Sequence, residues 1–332
     1  MKVLVLGGSG YIGARLCSML ADSGWATPVS GSRHAARGIA SVTVDTTDLS
    51  SMKAAMQGMD AVVNCVAGSA EAIARGAQVL LQAAQESGCG RIVHLSTMSV
   101  YGALEGEIDE TSPRDGSIGW YAKAKCEAED VLRAFGGSLV MLRPGCVWGP
   151  GSDLWVGRIG RLLRARRLGD LGAAGDGWAN LVAVEDVCAA IIASLRLDTG
   201  GTPRVYNLGA PDSPRWNEYF VDLALAIGAT PVPRLSHRQL KLDAKLAGPP
   251  LKIAEILLRK AGVGAKLPDP LPPGLLGVFE RHLHLRSELA ERELGLRWTP
   301  YEQILKQSAA WFVASHCIAQ GPIASANRVR GA

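Results

Sequence analysis

Lys2-Val3-Leu4-Val5-Leu6-Gly7-Gly8-Ser9-Gly10-Tyr11-Ile12-Gly13 decides how the rest of the chain is read. An apolar β-rich run stops at glycines and passes at once into helix formers, with both GxxGxxG and GxGxxG spacing. Glycines at such a turn let the backbone bend sharply and approach a pyrophosphate, which then sits at the positive end of the following helix. Gly7, Gly10, Tyr11, Ile12 and Gly13 are therefore candidate dinucleotide-binding residues.

Working outward, apolar runs recur at 2–6, 26–30, 42–44, 61–66, 91–96, 139–142 and 205–207. Helical patterning at 11–23, 51–59, 71–86 and 121–135 separates them, with Gly24, Gly88 and Gly136 placed to close three helices in the left-handed conformation. Strands apolar on both faces with room for crossover helices predict an α/β fold, a doubly wound (Rossmann) parallel sheet. From about residue 211 prolines punctuate short helical pieces. The expected division is 1–180 for the dinucleotide domain with the catalytic residues, joined by a further strand near 204–208, and 181–332 as a smaller, mainly helical substrate region.

Composition excludes several classes. The 332 residues are 48% hydrophobic and 20% charged, and 35 basic against 31 acidic side chains leave a net +4, too weak and dispersed for a nucleic-acid surface. No apolar stretch is long and uninterrupted enough to span a bilayer, and no secretory leader is visible, so a cytoplasmic protein without a transmembrane segment is expected. The seven cysteines include no CxxC pair, and Cys65 and Cys146 read as small buried hydrophobes; no metal or disulfide framework is indicated. His282 and His284, two apart, do not share a helical face.

The second strand ends Ser30-Gly31-Ser32-Arg33-His34, without the carboxylate that usually holds the ribose 2′-hydroxyl of NAD. Ser32 and Arg33, with Arg37 a turn further on, suit a 2′-phosphate instead. NADP(H) is the expected cofactor, with NAD(H) as the alternative.

Tyr121 and Lys125 stand four apart on one helix face. A phenol acting near neutrality needs its pKa lowered by about 3 units, or about 4 kcal/mol, which an ammonium and a cofactor's positive charge can supply. Upstream, Ser96-Thr97-Met98-Ser99 follows the fifth apolar run, where a hydroxyl opens onto the crevice at the strand ends.

With these motifs in place, the chain resembles the extended short-chain dehydrogenases/reductases of the NAD-dependent epimerase/dehydratase family. Asp45 resembles the family's adenine-contacting acid and Asn64-Cys65-Val66-Ala67 its fourth-strand motif. Arg143-Pro144-Gly145-Cys146-Val147-Trp148-Gly149-Pro150 is similar to its RPxxxYGP segment, beside the substrate. Matching downstream elements are Asn180–Val187, Tyr206-Asn207-Leu208-Gly209 and Glu293–Pro300. The resemblance implies Thr97, Tyr121 and Lys125 as the catalytic set, with Lys125 also at the nicotinamide ribose. It also implies Asp45 and Ala67 at the cofactor, and pairing of two copies into a homodimer through the Tyr121 helix.

Met98 and Ser99 occupy the places where family dehydratases carry an acidic pair and 3,5-epimerases a cysteine, which disfavours both reactions. Hydride transfer remains, between NADP(H) and a carbonyl/alcohol pair of a small molecule, with a nucleotide-sugar 4-epimerase holding NAD tightly as the alternative. A non-catalytic dinucleotide sensor is the reading from another class; the intact Thr97/Tyr121/Lys125 set argues against it. Substrate candidates are Ser99, Arg143 and Arg158. Arg158 opens the stripe Arg158, Arg161, Arg164, Arg167, which either faces a diphosphate or is a solvated face. Ile73, where the family often has Asn, weakens the sugar-nucleotide reading. The apolar stretch 240–285 is either a lid or a membrane-surface contact, or packs on the main domain.

Overall fold

A computed structural model describes residues 1–33, 39–242 and 273–317. Its centre is a seven-stranded parallel sheet. Strands β1 (Lys2–Leu6), β2 (Thr27–Ser32), β3 (Ser41–Thr43), β4 (Ala61–Asn64) and β5 (Arg91–Leu95) are joined by β7 (Ser138–Pro144) and β10 (Arg204–Leu208), in the order β10-β7-β5-β4-β1-β2-β3. The order reverses beside β1, and there the glycine turn leaves the sheet. Such a reversal opens a crevice at the carboxyl ends of the strands.

The expected pattern of two buried faces is realised: β1 is sealed from Val3 to Leu6 and β4 along its whole length. On one face Val3, Val5, Val63, Val93 and Leu142 pack with α1 (Tyr11–Asp22) and α6 (Val184–Arg196). On the other, Leu4, Leu6, Val62, Ile92 and Met141 meet α2 (Leu49–Met56), α3 (Ala70–Ser87) and α4 (Trp120–Leu132). Alternation along each strand sends neighbouring residues to opposite clusters. A third cluster lies under the C-terminal region, where Trp148, Trp216, Tyr219, Phe220, Phe279 and Phe312 pack with α5 (Arg158–Arg164) and α7 (Trp216–Ala226).

Two short parallel pairs lie outside the main sheet. β8 (Cys146–Trp148) runs with β9 (Leu181–Ala183), and β6 (Gly106–Ile108) with β11 (Leu283–Leu285). The proline-rich stretch is otherwise helical where described, with α8 (His237–Leu242), α9 (Pro273–Phe279), α10 (Glu288–Leu294) and α11 (Tyr301–Cys317). Most of the apolar stretch 240–285, including 253–258, falls outside the described residues, as does Arg37. Its described end, α9, packs into the third cluster through Leu275, Leu276 and Phe279.

Gly24 and Gly88 close their helices with φ of 74° and 69° as expected, but Gly136 does not. α4 ends earlier, at Leu132, and its last turn tightens: Ala134 N–H donates to Val131 O and Phe135 N–H to Leu132 O. Such three-residue bonds finish a helix without a left-handed residue. No helix among the described residues is long and apolar enough to cross a membrane, and no metal-ligand cluster is found among them. His284 is instead bound at Nδ1 to Glu107 Oε1, 2.8 Å away.

Candidate active site

The glycine turn is built by close packing. Gly7 adopts φ 76°, and the Gly7 and Gly8 N–H groups donate to Gly31 O at 2.8 and 3.3 Å, tying the turn to β2. A Cβ on Gly13 would lie 2.3 Å from Gly7 O and 2.8 Å from Gly8 Cα; one on Gly8 would meet Ser30 Oγ at 2.4 Å. Gly10 precedes α1 and brings no side-chain cap, so the first-turn N–H groups of α1 remain open to an anion. This cradle fits a dinucleotide pyrophosphate. Tyr11 and Ile12, both half-buried, open the helix, and the Tyr11 ring lies under Gly149 and Gly151.

Arg33 is exposed directly after β2, where Ser32 is half-buried. Asp45 is exposed and accepts from Thr47 N–H at 2.9 Å and Thr47 Oγ1 at 2.7 Å, bonds that hold its carboxyl below the usual range, with a smaller contribution from Arg33. Arg33 and Asp45 therefore share one rim of the crevice. Ala67, exposed after β4, borders the crevice on the other side of β1.

Thr97, Tyr121 and Lys125 come together as the spacing requires. Thr97 is 8% exposed at the end of β5; its Oγ1 donates to Ser99 Oγ at 3.3 Å and accepts from Ser99 N–H at 3.2 Å. Thr97 also hydrogen-bonds the Tyr121 phenol. Burial raises the phenol's pKa and that bond opposes the rise. Lys125 is 2% exposed, and its Nζ donates to Leu95 O at 2.6 Å and Val66 O at 3.3 Å, carbonyls at the ends of two neighbouring strands. Burial lowers its pKa to about 8, against the pull of Cys65 and Glu129. The Lys125 ammonium sits over the Tyr121 ring, 6.0 Å from its centroid, while it donates to the two carbonyls.

Arg143 requires a correction. Expected beside the substrate, it is 1% exposed and fully occupied beneath the site. Its Nε and Nη2 donate to the two carboxylate oxygens of Glu129 at 2.9 and 2.6 Å, and its Nη1 donates to Tyr101 Oη at 2.8 Å. Burial alone would push Glu129 up, but the bonds and charge of Arg143 bring it below its ordinary value. Ser96 donates to the same carboxylate at 2.6 Å, so it is committed away from the crevice. Glu129 was missed from sequence, although its position four residues after Lys125 marks the same buried stripe of α4. Arg158 is half-buried at the start of α5 and Ser99 is half-buried beside Thr97.

The motifs downstream act as ties. Asp186 accepts from Thr299 N–H at 2.9 Å and Thr299 Oγ1 at 2.7 Å, and Tyr206 Oη donates to Glu293 at 2.8 Å, fastening the late segment to α6 and β10.

Comparison with known proteins agrees with the fold. A model of the NAD dependent epimerase/dehydratase family matches residues 3–209. The protein YeeZ of Escherichia coli strain K12 is 29% identical over 255 residues, 70% of this chain and 86% of the relative. The 2-alkyl-3-oxoalkanoate reductase of Stenotrophomonas maltophilia is 32% identical over 189 residues, 51% of this chain and 57% of that enzyme. In structure, the UDP-glucose 4-epimerase of Thermotoga maritima superposes with a TM-score of 0.72 at 18% identity, over 95% of this chain and all of that one, a likeness of fold.

Proposed function

Because the chain belongs to the NAD-dependent epimerase/dehydratase family, we propose that it is an NADP(H)-dependent oxidoreductase acting on a carbonyl/alcohol pair of a small molecule. At the coarser level it is an enzyme that uses a nicotinamide dinucleotide, either a reductase or an epimerase. The observation that carries the finer reading is the rim after β2, where exposed Arg33 follows Ser32 and no carboxylate stands within residues 27–33 to receive a ribose 2′-hydroxyl. The reductase among the relatives supports the same direction.

When bound, the nicotinamide supplies or takes up the hydride. The residues do the rest. A phenol raised by burial is protonated at neutral pH, so Tyr121 is poised as the acid that donates to a carbonyl oxygen as it gains charge. Thr97, 8% exposed and bonded to that phenol, is placed to polarise the same oxygen. Lys125, fixed by Leu95 O and Val66 O beside the Tyr121 ring, would supply a positive charge there and hold the nicotinamide ribose.

Arg33→Ala tests the cofactor preference: NADPH affinity falls about tenfold and NADH affinity is unchanged, on the worth of a charged hydrogen bond. Unchanged NADPH affinity overturns it. Tyr121→Phe should lower turnover by 10² to 10⁴. A purified protein that holds NAD through gel filtration and interconverts nucleotide sugars without added reductant would establish the epimerase instead.

A further inference from the structure

Tyr121, Lys125 and Glu129 follow one another at helix spacing along a single stripe of α4, and each meets a different residue of the tripeptide at the end of β5. Lys125 Nζ donates to Leu95 O at 2.6 Å, Ser96 Oγ donates to Glu129 Oε1 at 2.6 Å, and Thr97 hydrogen-bonds the Tyr121 phenol. Two of these three ties involve the groups of the proposed chemistry. The third, between Ser96 and Glu129, lies beneath them, with Ser96 only 3% exposed.

That third tie bears on where Thr97 points. Thr97 is extended, with φ −167° and ψ 153°, so its side chain and that of Ser96 leave the backbone on opposite sides. Holding Ser96 below therefore aims Thr97 above. Ser96 N–H joins the sheet at Leu142 O, 2.7 Å away, and the Ser96 hydroxyl adds the link from sheet to helix. The carboxylate it reaches is a fixed post, because Arg143 grips both Glu129 oxygens at 2.9 and 2.6 Å. By contrast, the other bonds of the Thr97 hydroxyl run to Ser99, within the turn Met98–Tyr101 that moves with it. The far end of that turn is anchored through Tyr101 Oη, which donates to Asn207 Oδ1 at 2.6 Å and accepts from Arg143 Nη1 at 2.8 Å.

Resting on Thr97 and Tyr121 as the reacting pair of the proposed function, we propose that Ser96 is a positioning residue, whose bond to Glu129 sets the Thr97 hydroxyl against the Tyr121 phenol. The helix is the ruler: eight residues separate Tyr121 from Glu129, about 12 Å along the axis. A rigid helix fixes that span, and the peptide bond fixes Ser96 beside Thr97. Releasing Ser96 from Glu129 therefore lets the Thr97–Tyr121 bond lengthen. Ser96→Ala removes one donor and no charge, so the Glu129–Arg143 pair survives it.

The test labels the protein with 3-fluorotyrosine, whose ring fluorine reports on the hydrogen bonding of the phenol. Of the six tyrosines, Tyr121 gives the resonance missing from Tyr121→Phe. Thr97→Val should move that resonance and raise the midpoint at which the phenol titrates by about 0.5–1 pH unit, the worth of one hydrogen bond, because the Thr97 bond opposes the rise that burial causes. Ser96→Ala should move both in the same direction by at least half as much, with the dissociation constant for NADPH unchanged. Ser96→Cys, nearly isosteric with a weaker donor, should give a smaller displacement of the same sense, and it carries the test if alanine prevents folding. Ser138→Ala is the control: it loses a buried bond to Leu197 O, 3.1 Å long, at the other end of the sheet, and should leave the Tyr121 resonance in place. An unmoved resonance in the Ser96 variants, whatever their thermal midpoints, makes Ser96 merely structural and overturns the proposal, as does an equal displacement in Ser138→Ala. If Thr97→Val itself leaves the resonance unmoved, the Thr97–Tyr121 pairing of the proposed function fails and the positioning role falls with it. If Thr97→Val moves it and the Ser96 variants do not, only the positioning role fails.

Discussion

Asn64 donates its side-chain amide to Nδ1 of His94 across 3.2 Å, and the direction of that bond fixes the state of the histidine. Asn64 Oδ1 already accepts from Val66 N–H at 3.1 Å, so the end facing His94 is the NH₂ group. The imidazole proton therefore sits on Nε2, which is buried without a partner. Val66 O in turn receives Lys125 Nζ, so a buried polar chain runs from His94 through the end of β4 to the catalytic helix.

Burial, with the nearby Lys125 charge adding to it, holds the His94 pKa well below its ordinary value. The unfolded chain then binds a proton that the folded chain refuses, and stability is lost as pH falls below about 6.5, by up to about 1.4 kcal/mol per pH unit from this group. His94→Gln should flatten that fall. Urea unfolding at pH 7.5, 6.5 and 5.5 measures it, and parallel curves for wild type and variant would show that His94 titrates freely when folded.

The Glu129–Arg143 pair gives a second expectation. Removing one partner of a buried ion pair strands the other, at a cost of about 3–5 kcal/mol. Glu129→Gln should therefore destabilise strongly, and Arg143→Met similarly. The double variant Glu129→Gln/Arg143→Met should cost less than the sum of the two, because no charge of the pair is left alone. Additive losses in denaturant titrations would mean that the two side chains act independently.

These two pairs also mark what the sequence could and could not disclose. The sheet was legible because its central strands, 2–6, 61–64, 91–95 and 139–142, are buried on both faces, and the meeting of Tyr121 with Lys125 because they stand four apart on one helix. Arg143 was misplaced for a physical reason: an arginine in a motif beside the crevice looks identical whether its guanidinium faces out or meets an acid below. Only the fold brings Glu129, fourteen residues earlier, to within 2.6 Å. Asn64 and His94 lie thirty residues apart and meet only because β4 and β5 are neighbours in register. The tripeptide Ile118-Gly119-Trp120 gave no signal that its two large side chains are exposed, since apolar residues before a helix more often pack beneath it.

Gly13→Ala tests the cofactor cradle. The new methyl would stand 2.3 Å from Gly7 O, and both nearest groups are backbone, so the turn must open. We expect the dissociation constant for NADPH to rise at least about tenfold, roughly 1.4 kcal/mol, in fluorescence titration. Gly24→Ala serves as the control: nothing lies within 4 Å of its Cβ position, and although its φ of 74° costs stability, it should leave cofactor affinity intact.

Lys125 gives the proposed reaction an expected pH dependence. Its pKa of about 8 when folded, against an ordinary value above 10, means that it is cationic below pH 8 and neutral above. If the charge behind Tyr121 assists catalysis, kcat/KM should fall as pH rises through about 8. The same shift carries a stability consequence of opposite sense. Between pH 8 and about 10.5 the unfolded chain binds the proton more than the folded one, so the cost of burying the ammonium, on the order of 3 kcal/mol, is complete below pH 8 and relieved as pH rises toward 10.5. Lys125→Met should abolish the alkaline limb together with most turnover, and should lose the rise in stability between pH 8 and 10 that the wild type shows in urea titrations. A wild-type kcat/KM that stays level to pH 9.5 would place the working charge elsewhere.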